Sequence, residues 1–191
     1  MSAHAERLRA LRRRLEELGL RGFIVPRADE HLGEYVPGSA ERLAWLTGFT
    51  GSAGLAAVLP DLAAVFSDGR YVLQLAEQTD PALWERRHIT DEPPHTWLAT
   101  HAAAGAKIGY DPMLISEESL ARYTDADLAM HPADGNPIDA IWTDRPPPPH
   151  APAVPHPIDR AGRNATEKRA DIAEILRAAK QDAAIVTDPA S

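Results

Sequence analysis

Leucines at positions 8, 11, 15 and 18 recur at 3-4-3 spacing within an otherwise charged stretch. That spacing sets them on one stripe of a helix over 4–19, ended by Gly19. GFIVP (22–26) follows as an apolar run of strand length, which predicts a short buried strand. Residues 27–40 are polar and glycine-bearing and read as a long loop, with Ser39 placed to cap a short helix through Leu46. Beyond the glycines of 48–54, GLAAVLP (54–60) and LAAVFSD (62–68) predict two antiparallel strands joined by a tight turn at Pro60-Asp61. RYVLQLAEQ (70–78) has helical spacing, with Val72, Leu73 and Ala76 toward the core and Tyr71, Leu75 and Gln78 on the other side.

Shorter pieces then alternate: WERRHI as strand, TWLATHAA as helix, KIGYD as strand, SEESLARYTD as helix and DLAMHP as strand. Such alternation indicates an α/β domain. Ser116 stands at the start of the last helix, and Glu117 and Glu118 suit its positive end. NPIDAIWTDRP (136–146) closes the domain near residue 144. The following PPPPHAPAVPHP cannot donate to a sheet ladder and favours an extended spacer, so 145–157 is read as a linker. From about Ile158 a charged amphipathic helix and a short apolar strand repeat the opening of the chain. Pairing Ile24-Val25 with Ile185-Val186 gives an offset of 161 residues. A second domain, 158–191, is begun and cut short, so the chain reads as a fragment of something longer.

Composition narrows the function classes. The 191 residues are 44% hydrophobic and 25% charged, as in an ordinary globular protein. A net charge of -8 and a pI near 5.4 remove the electrostatic footprint that nucleic-acid binding requires. The arginines at 7, 9, 12, 13 and 14 alternate with the leucine stripe and read as a solvated helix face. Zero cysteines exclude disulfides and thiolate chemistry. With no signal-like or membrane-length apolar segment, a cytoplasmic location and no membrane partner are expected.

The stretch GFTGSAG (48–54) invites a chemical reading that its spacing refuses. A dinucleotide fingerprint needs G-x-G-x-x-G between strand and helix, a P-loop needs Gly-Lys-Ser/Thr, and a nucleophile elbow needs G-x-S-x-G. Here the pattern is G-x-x-G-x-x-G and a strand follows. Gly51 and Gly54 are expected to permit close backbone approach or positive φ at a strand entry. No HExxH occurs, and His31 with Glu34 in a loop makes no metal site. No catalytic residue and no metal ligand is assigned. In Asp68-Gly69-Arg70-Tyr71, Asp68 is expected to cap a helix and Tyr71 to pack, with direct substrate contact as the alternative. Trp142 is read as a core or domain-junction anchor, and Asp144-Arg145 as an ion pair fixing the linker exit.

GEYVP (33–37), RLAWLTGFTGSAG (42–54), SDGRYVLQ (67–74), GYDP (109–112) and IWTDRP (141–146), in that order, resemble the creatinase/prolidase/aminopeptidase P family, in particular the three-domain Xaa-Pro aminopeptidases. The resemblance covers nearly the whole chain. It implies a three-layer α/β/α first domain (1–144) with a mixed sheet of about five to six strands in a ribonuclease H-like arrangement. It further implies a parent hydrolase that cleaves Xaa-Pro peptides with two divalent metal ions, commonly manganese, held by Asp, His and Glu in a C-terminal domain absent here. The fragment alone is then expected to be inactive, to meet its own catalytic domain or a second copy as a homodimer, and to help cover the active site. Glu34, Arg70 and Tyr71 are the residues expected to face the substrate cleft. Two alternatives remain: a freestanding binding module of the same fold, and a related amidinohydrolase such as creatinase.

Overall fold

The structure is a computed structural model that describes residues 2–187. Contacts divide the chain into two compact units, residues 1–148 and 149–191. In the first, helix α1 (Ala3–Glu17) opens with Ser2 Oγ accepting from the Ala5 amide. Strand β1 (Gly22–Pro26) follows, then helix α2 (Arg42–Thr47) and strands β2 (Leu55–Val58) and β3 (Ala63–Ser67). Next come helix α3 (Val72–Gln78), strand β4 (Glu85–His88), helix α4 (Pro94–His101), strand β5 (Lys107–Tyr110), helix α5 (Glu117–Thr124) and strand β6 (Ala129–Pro132). The strands form one sheet ordered β4-β3-β2-β1-β5-β6. Only β2 runs antiparallel to its neighbours, so the sheet is mixed, as expected.

The central strands are buried on both faces, and their two-residue alternation sorts side chains into two cores. Phe23 and Val25 pair with Val58 and Ala56, which pair with Ala63 and Val65. This face packs against Leu8, Leu11 and Leu15 of α1 and Leu43 and Leu46 of α2. Ile24, Ala57, Ala64 and Phe66 face the other way, onto Trp97 and Leu98 of α4 and Tyr123 of α5. Each fully buried Leu contributes about 2 kcal/mol by removal from water. The Leu59 amide bonds to the Leu62 carbonyl (2.8 Å), closing the tight turn over Pro60-Asp61.

Four local expectations are corrected. Leu18 is 42% exposed and lies outside the buried stripe. Ser39 caps no helix: it is buried in a 3-10 turn, Gly38–Ala40, and α2 starts after Glu41 without a side-chain cap. The core side of α3 is inverted, with Leu75 buried and Leu73 81% exposed, because this seven-residue helix touches the core through one position only. The helix-face arginines are not all solvated: Arg7 donates to the Trp45 carbonyl (2.6 Å) and Arg12 to that of Leu59 (3.0 Å), tying α1 to α2 and to the hairpin.

The segment 133–146 seals the first core. Ile138 is buried, and Trp142 stacks on Trp45 at 5.3 Å, so Trp142 is a core anchor. Asp139 accepts two bonds from Arg42 (2.7 and 2.8 Å) and pairs with Arg145 at 2.6 Å. Arg145 also donates to the Ser39 carbonyl (2.6 Å), so its partner is Asp139 and not the exposed Asp144.

In the second unit, a short helix α6 (Ile158–Ala161) precedes helix α7 (Ala165–Ala178), whose start is a complete capping box of Asn164 and Glu167. No residue of α7 is buried. The strand expected at Ile185-Val186 does not form among the described residues, and Ile185 is 92% exposed. A strand needs a ladder partner for its backbone groups, and none is at hand.

Removing the Asp139 carboxylate leaves Arg42, whose side chain is 8% exposed, buried without a counter-charge. Asp139→Ala is expected to cost about 3 kcal/mol of stability, and the apolar pair Arg42→Met with Asp139→Leu to recover most of it. Urea unfolding midpoints at constant slope check both.

Candidate functional site

The glycine stretch builds one wall of an exposed polar surface. Gly48 ends α2 at φ +87, a left-handed conformation that other residues adopt at a cost. A Cβ on Gly54 would lie 2.8 Å from the Phe49 ring, and one on Gly51 would overlap the same ring. The backbone therefore wraps the buried Phe49 closely. Positive φ falls at Gly48, while Gly51 and Gly54 serve close approach only.

This wrapping presents Ser52 to Tyr71. The two hydroxyls are 2.6 Å apart, and the Tyr71 ring meets Phe49 edge-on at 5.9 Å. The Ser52 hydrogen bond holds the Tyr71 phenol below its ordinary range. At the end of β3, Asp68 accepts from the Arg70 amide (2.9 Å), and the Arg70 guanidinium folds back onto the Asp68 carboxylate (2.8 Å). The guanidinium carbon sits 5.2 Å from the Tyr71 ring centre. Hydrogen bonding to Arg70 lowers the Asp68 pKa, and Asp68, with a smaller contribution from Glu34, raises that of Arg70. The contact is complete above the ordinary Asp range and is lost as pH falls through the depressed folded-state value.

Glu34, Arg70 and Tyr71 thus share one surface. The residue that joins them is Arg27, which the sequence reading passed over as loop. It donates to the carbonyls of Glu34 (2.9 Å) and Ser52 (3.2 Å) and pairs with Glu41 at 3.5 Å. Only its position directly after β1 hinted at a structural task. Asp29, 5% exposed, accepts from the His31 and Gly33 amides (3.1 Å each) and shapes the same loop. A second hydrogen-bonded knot, Thr50 with Gln74 and Gln78, fixes the far side of the glycines.

Chemically the surface offers hydroxyls, a guanidinium and carboxylates arranged by mutual hydrogen bonds, suited to holding a polar chain. Among the described residues, no three His, Asp or Glu are grouped to hold a metal ion. No described helix is long and apolar enough to cross a membrane.

Comparison with known proteins adds identity to this geometry. The family model for the Creatinase/Prolidase N-terminal domain matches residues 7–138. Xaa-Pro aminopeptidase 2 of Homo sapiens is 39% identical over 154 residues, covering 76% of this chain and 22% of the human protein. A probable Xaa-Pro aminopeptidase P of Neurospora crassa is 35% identical over 192 residues, covering 95% of this chain and 28% of that protein. Among solved structures, the X-prolyl aminopeptidase of Caenorhabditis elegans, described as a cytosolic enzyme with a di-nuclear active site, matches with TM-score 0.83 and 28% identity. That match covers 94% of this chain and 32% of the nematode protein. The N-terminal domain of cytoplasmic peptidase PepQ from Mycobacterium tuberculosis, at 21% identity and TM-score 0.55, shares the fold over 71% of this chain and 98% of its own. The chain spans under a third of the length of the curated relatives it matches.

Two titrations test the surface. Arg70→Gln is expected to raise the Asp68 pKa toward the ordinary carboxylate range, and Ser52→Ala to raise that of Tyr71 toward an ordinary phenol. Side-chain NMR titrations of the three proteins read both; unchanged values would mean that these contacts do not persist in solution.

Proposed function

The chain belongs to the creatinase/prolidase N-terminal domain family, and on that premise we propose that it is the non-catalytic N-terminal portion of a metal-dependent Xaa-Pro aminopeptidase, a cytoplasmic hydrolase of the bond between an N-terminal residue and a following proline. The observation that carries this reading is the reach of the similarity. Relatives named for that activity match over 94–95% of this chain, a span that takes in the proline-rich stretch and the second helix.

A second support lies in the helix ends. Pairing at an offset of 161 sets Leu11 and Leu15 against Ile172 and Leu176. The Leu20 amide bonds to the Leu15 carbonyl and the Gln181 amide to that of Leu176, both at 2.9 Å. Gly19 and Lys180 occupy the same left-handed position, at φ 69 and 56. On this reading 158–191 begins a second domain of the same kind after the linker 145–157, and sequence beyond this chain covers the apolar side of α7.

The two divalent ions of such an enzyme, manganese by the family resemblance, do not fit the residues described here. The Asp68 carboxylate is taken by Arg70, and no metal-sized cluster exists among the described residues. No step through those ions is assigned to the residues described here. Its part is to cover the active-site entrance or to form contacts with its own catalytic domain or a second copy. Glu34 and Arg70, exposed, and Tyr71, half-buried, are pre-arranged to face the cleft and meet the peptide there.

Alanine at each of the three, in a polypeptide extended through the metal domain, is expected to lower kcat/KM for a long Xaa-Pro peptide about tenfold at one position or more, with a tripeptide little affected. Equal kcat/KM for the long peptide in all three variants would remove the cleft assignment. The 191-residue chain with manganese is expected to show no turnover above a metal-only control. Ile172→Ala should leave its stability unchanged, yet destabilise the extended polypeptide by about 2 kcal/mol or more.

A further inference from the structure

A cavity of the first unit, about 610 Å³, shares no lining residue with the surface described above. It lies where the chain reverses direction across the sheet. From β1 the path runs through β2 and β3 to β4 on one side, then returns by α4 to β5 on the other. The cavity opens at the carboxyl ends of these strands, lined by Pro26 at the end of β1, Ile89 just after β4, and Leu114 and Ile115 after β5. Open α/β sheets bind their ligands at this kind of crossover. Its volume is in the range of small-molecule sites.

The polar part of the lining is one-sided. The chain carries 28 acidic residues and a net charge of -8, yet none of them lines this cavity. Its ionisable groups are His95, Arg122 and Tyr123. Tyr123 is 6% exposed, and among the described residues its hydroxyl makes no hydrogen bond. Its ring is held by His95, edge-on at 5.9 Å. Burial pushes the phenol up to about 12, so it remains a donor at neutral pH. Among the described residues Arg122 is tied only by a 3.4 Å contact to Glu118 between two largely exposed side chains, an interaction weak enough to exchange for a ligand. The Tyr123 hydroxyl is not sealed in the core but open to the cavity, where a ligand can accept from it.

We propose that this cavity is a binding site for an apolar carboxylate: a compact hydrophobic body seated on Leu55, Ile89 and Leu114, with its carboxylate accepting from the Tyr123 hydroxyl and facing Arg122 and His95. Two sources share that chemistry, the C-terminal residue of a peptide and a free aliphatic acid. The site is independent of the peptidase assignment.

NMR titration of the 191-residue chain with N-acetyl-L-leucine, hexanoate and their amides tests it. Both acids are expected to shift amide signals of residues 89–95 and 114–123, with at least one binding tenfold or more tighter than its amide. Tyr123→Phe, which removes one oxygen and no packing, should weaken that acid about tenfold. Ser119→Trp, which fills the cavity, should abolish binding in a chain whose spectrum shows it folded. Tighter binding of N-acetyl-L-leucine identifies a peptide C-terminus as the source, and tighter hexanoate a free acid. Equal affinity for acid and amide, an unchanged Kd in Tyr123→Phe, or no localised shifts at 10 mM ligand would overturn the proposal.

Discussion

Burial of β1, β2 and β3 on both faces is the constraint from which the rest of the first unit follows. A strand with one solvated face needs helices on one side only; these strands need them on both. Side-chain alternation then assigns partners. Phe23, Val25, Val58 and Val65 require α1 and α2, and Ile24 and Phe66 require α4 and α5. The small residues Ala56, Ala57, Ala63 and Ala64 at the centre leave room for the bulky Trp84 and Trp97 that complete the two cores. Because β2 alone is antiparallel, it brings the glycine stretch at its start beside the exit of β1, where Arg27 bonds to the Gly54 carbonyl (3.0 Å). The candidate polar surface is therefore a by-product of strand direction.

What the sequence made legible was what short-range chemistry decides. The Pro60-Asp61 turn, the Asp68 and Ser116 caps and the alternation of elements each depend on a few adjacent residues, and each appears in the fold. What it hid depends on distant partners. Ser39 looked like a cap by residue type, yet its carbonyl is claimed by Arg145, 106 positions away. Asp144 looked like the neighbour that Arg145 would choose, but Asp139 already stood beside Arg42. Arg27 had no local signature because its acceptors, the carbonyls of Glu34 and Ser52, come together only in the folded chain. On α3, Val72, Leu73 and Leu75 are equally apolar in sequence, and only the helix's perch at the sheet edge decides that Leu75 goes in.

The two helix ends separated by 161 residues make the same point within one molecule. Their terminal hydrogen bonds and left-handed residues coincide, since capping is settled within a turn. Their burial does not coincide: Leu11 is fully buried, and its counterpart Ile172 is 46% exposed. A helix can be written locally, whereas its packing is written by whatever sheet lies against it. The same reasoning accounts for Ile24, in a six-stranded sheet, against Ile185, in no strand at all among the described residues.

The first unit also shows two opposite ways of arranging polar groups. Around Tyr71, the hydroxyls and charges bond chiefly to one another, which fixes their positions in water and leaves little unsatisfied: Asp68 to Arg70, Ser52 to Tyr71, Thr50 to Gln78. Such a surface is rigid before anything binds, and a ligand gains from its geometry more than from unpaired donors. Around Tyr123 the balance is reversed. One donor, on a mostly buried ring, opens onto the cavity and has no acceptor within the described residues. Enclosure strengthens any hydrogen bond made there, because low dielectric raises both the gain of pairing and the cost of its absence. The selectivity of the first surface would therefore come from shape, and that of the second from chemistry. Both lie at the same end of the sheet, where β2 enters beside the exits of β1 and β3, with Pro26 paired to Leu55 between them, yet they share no residue.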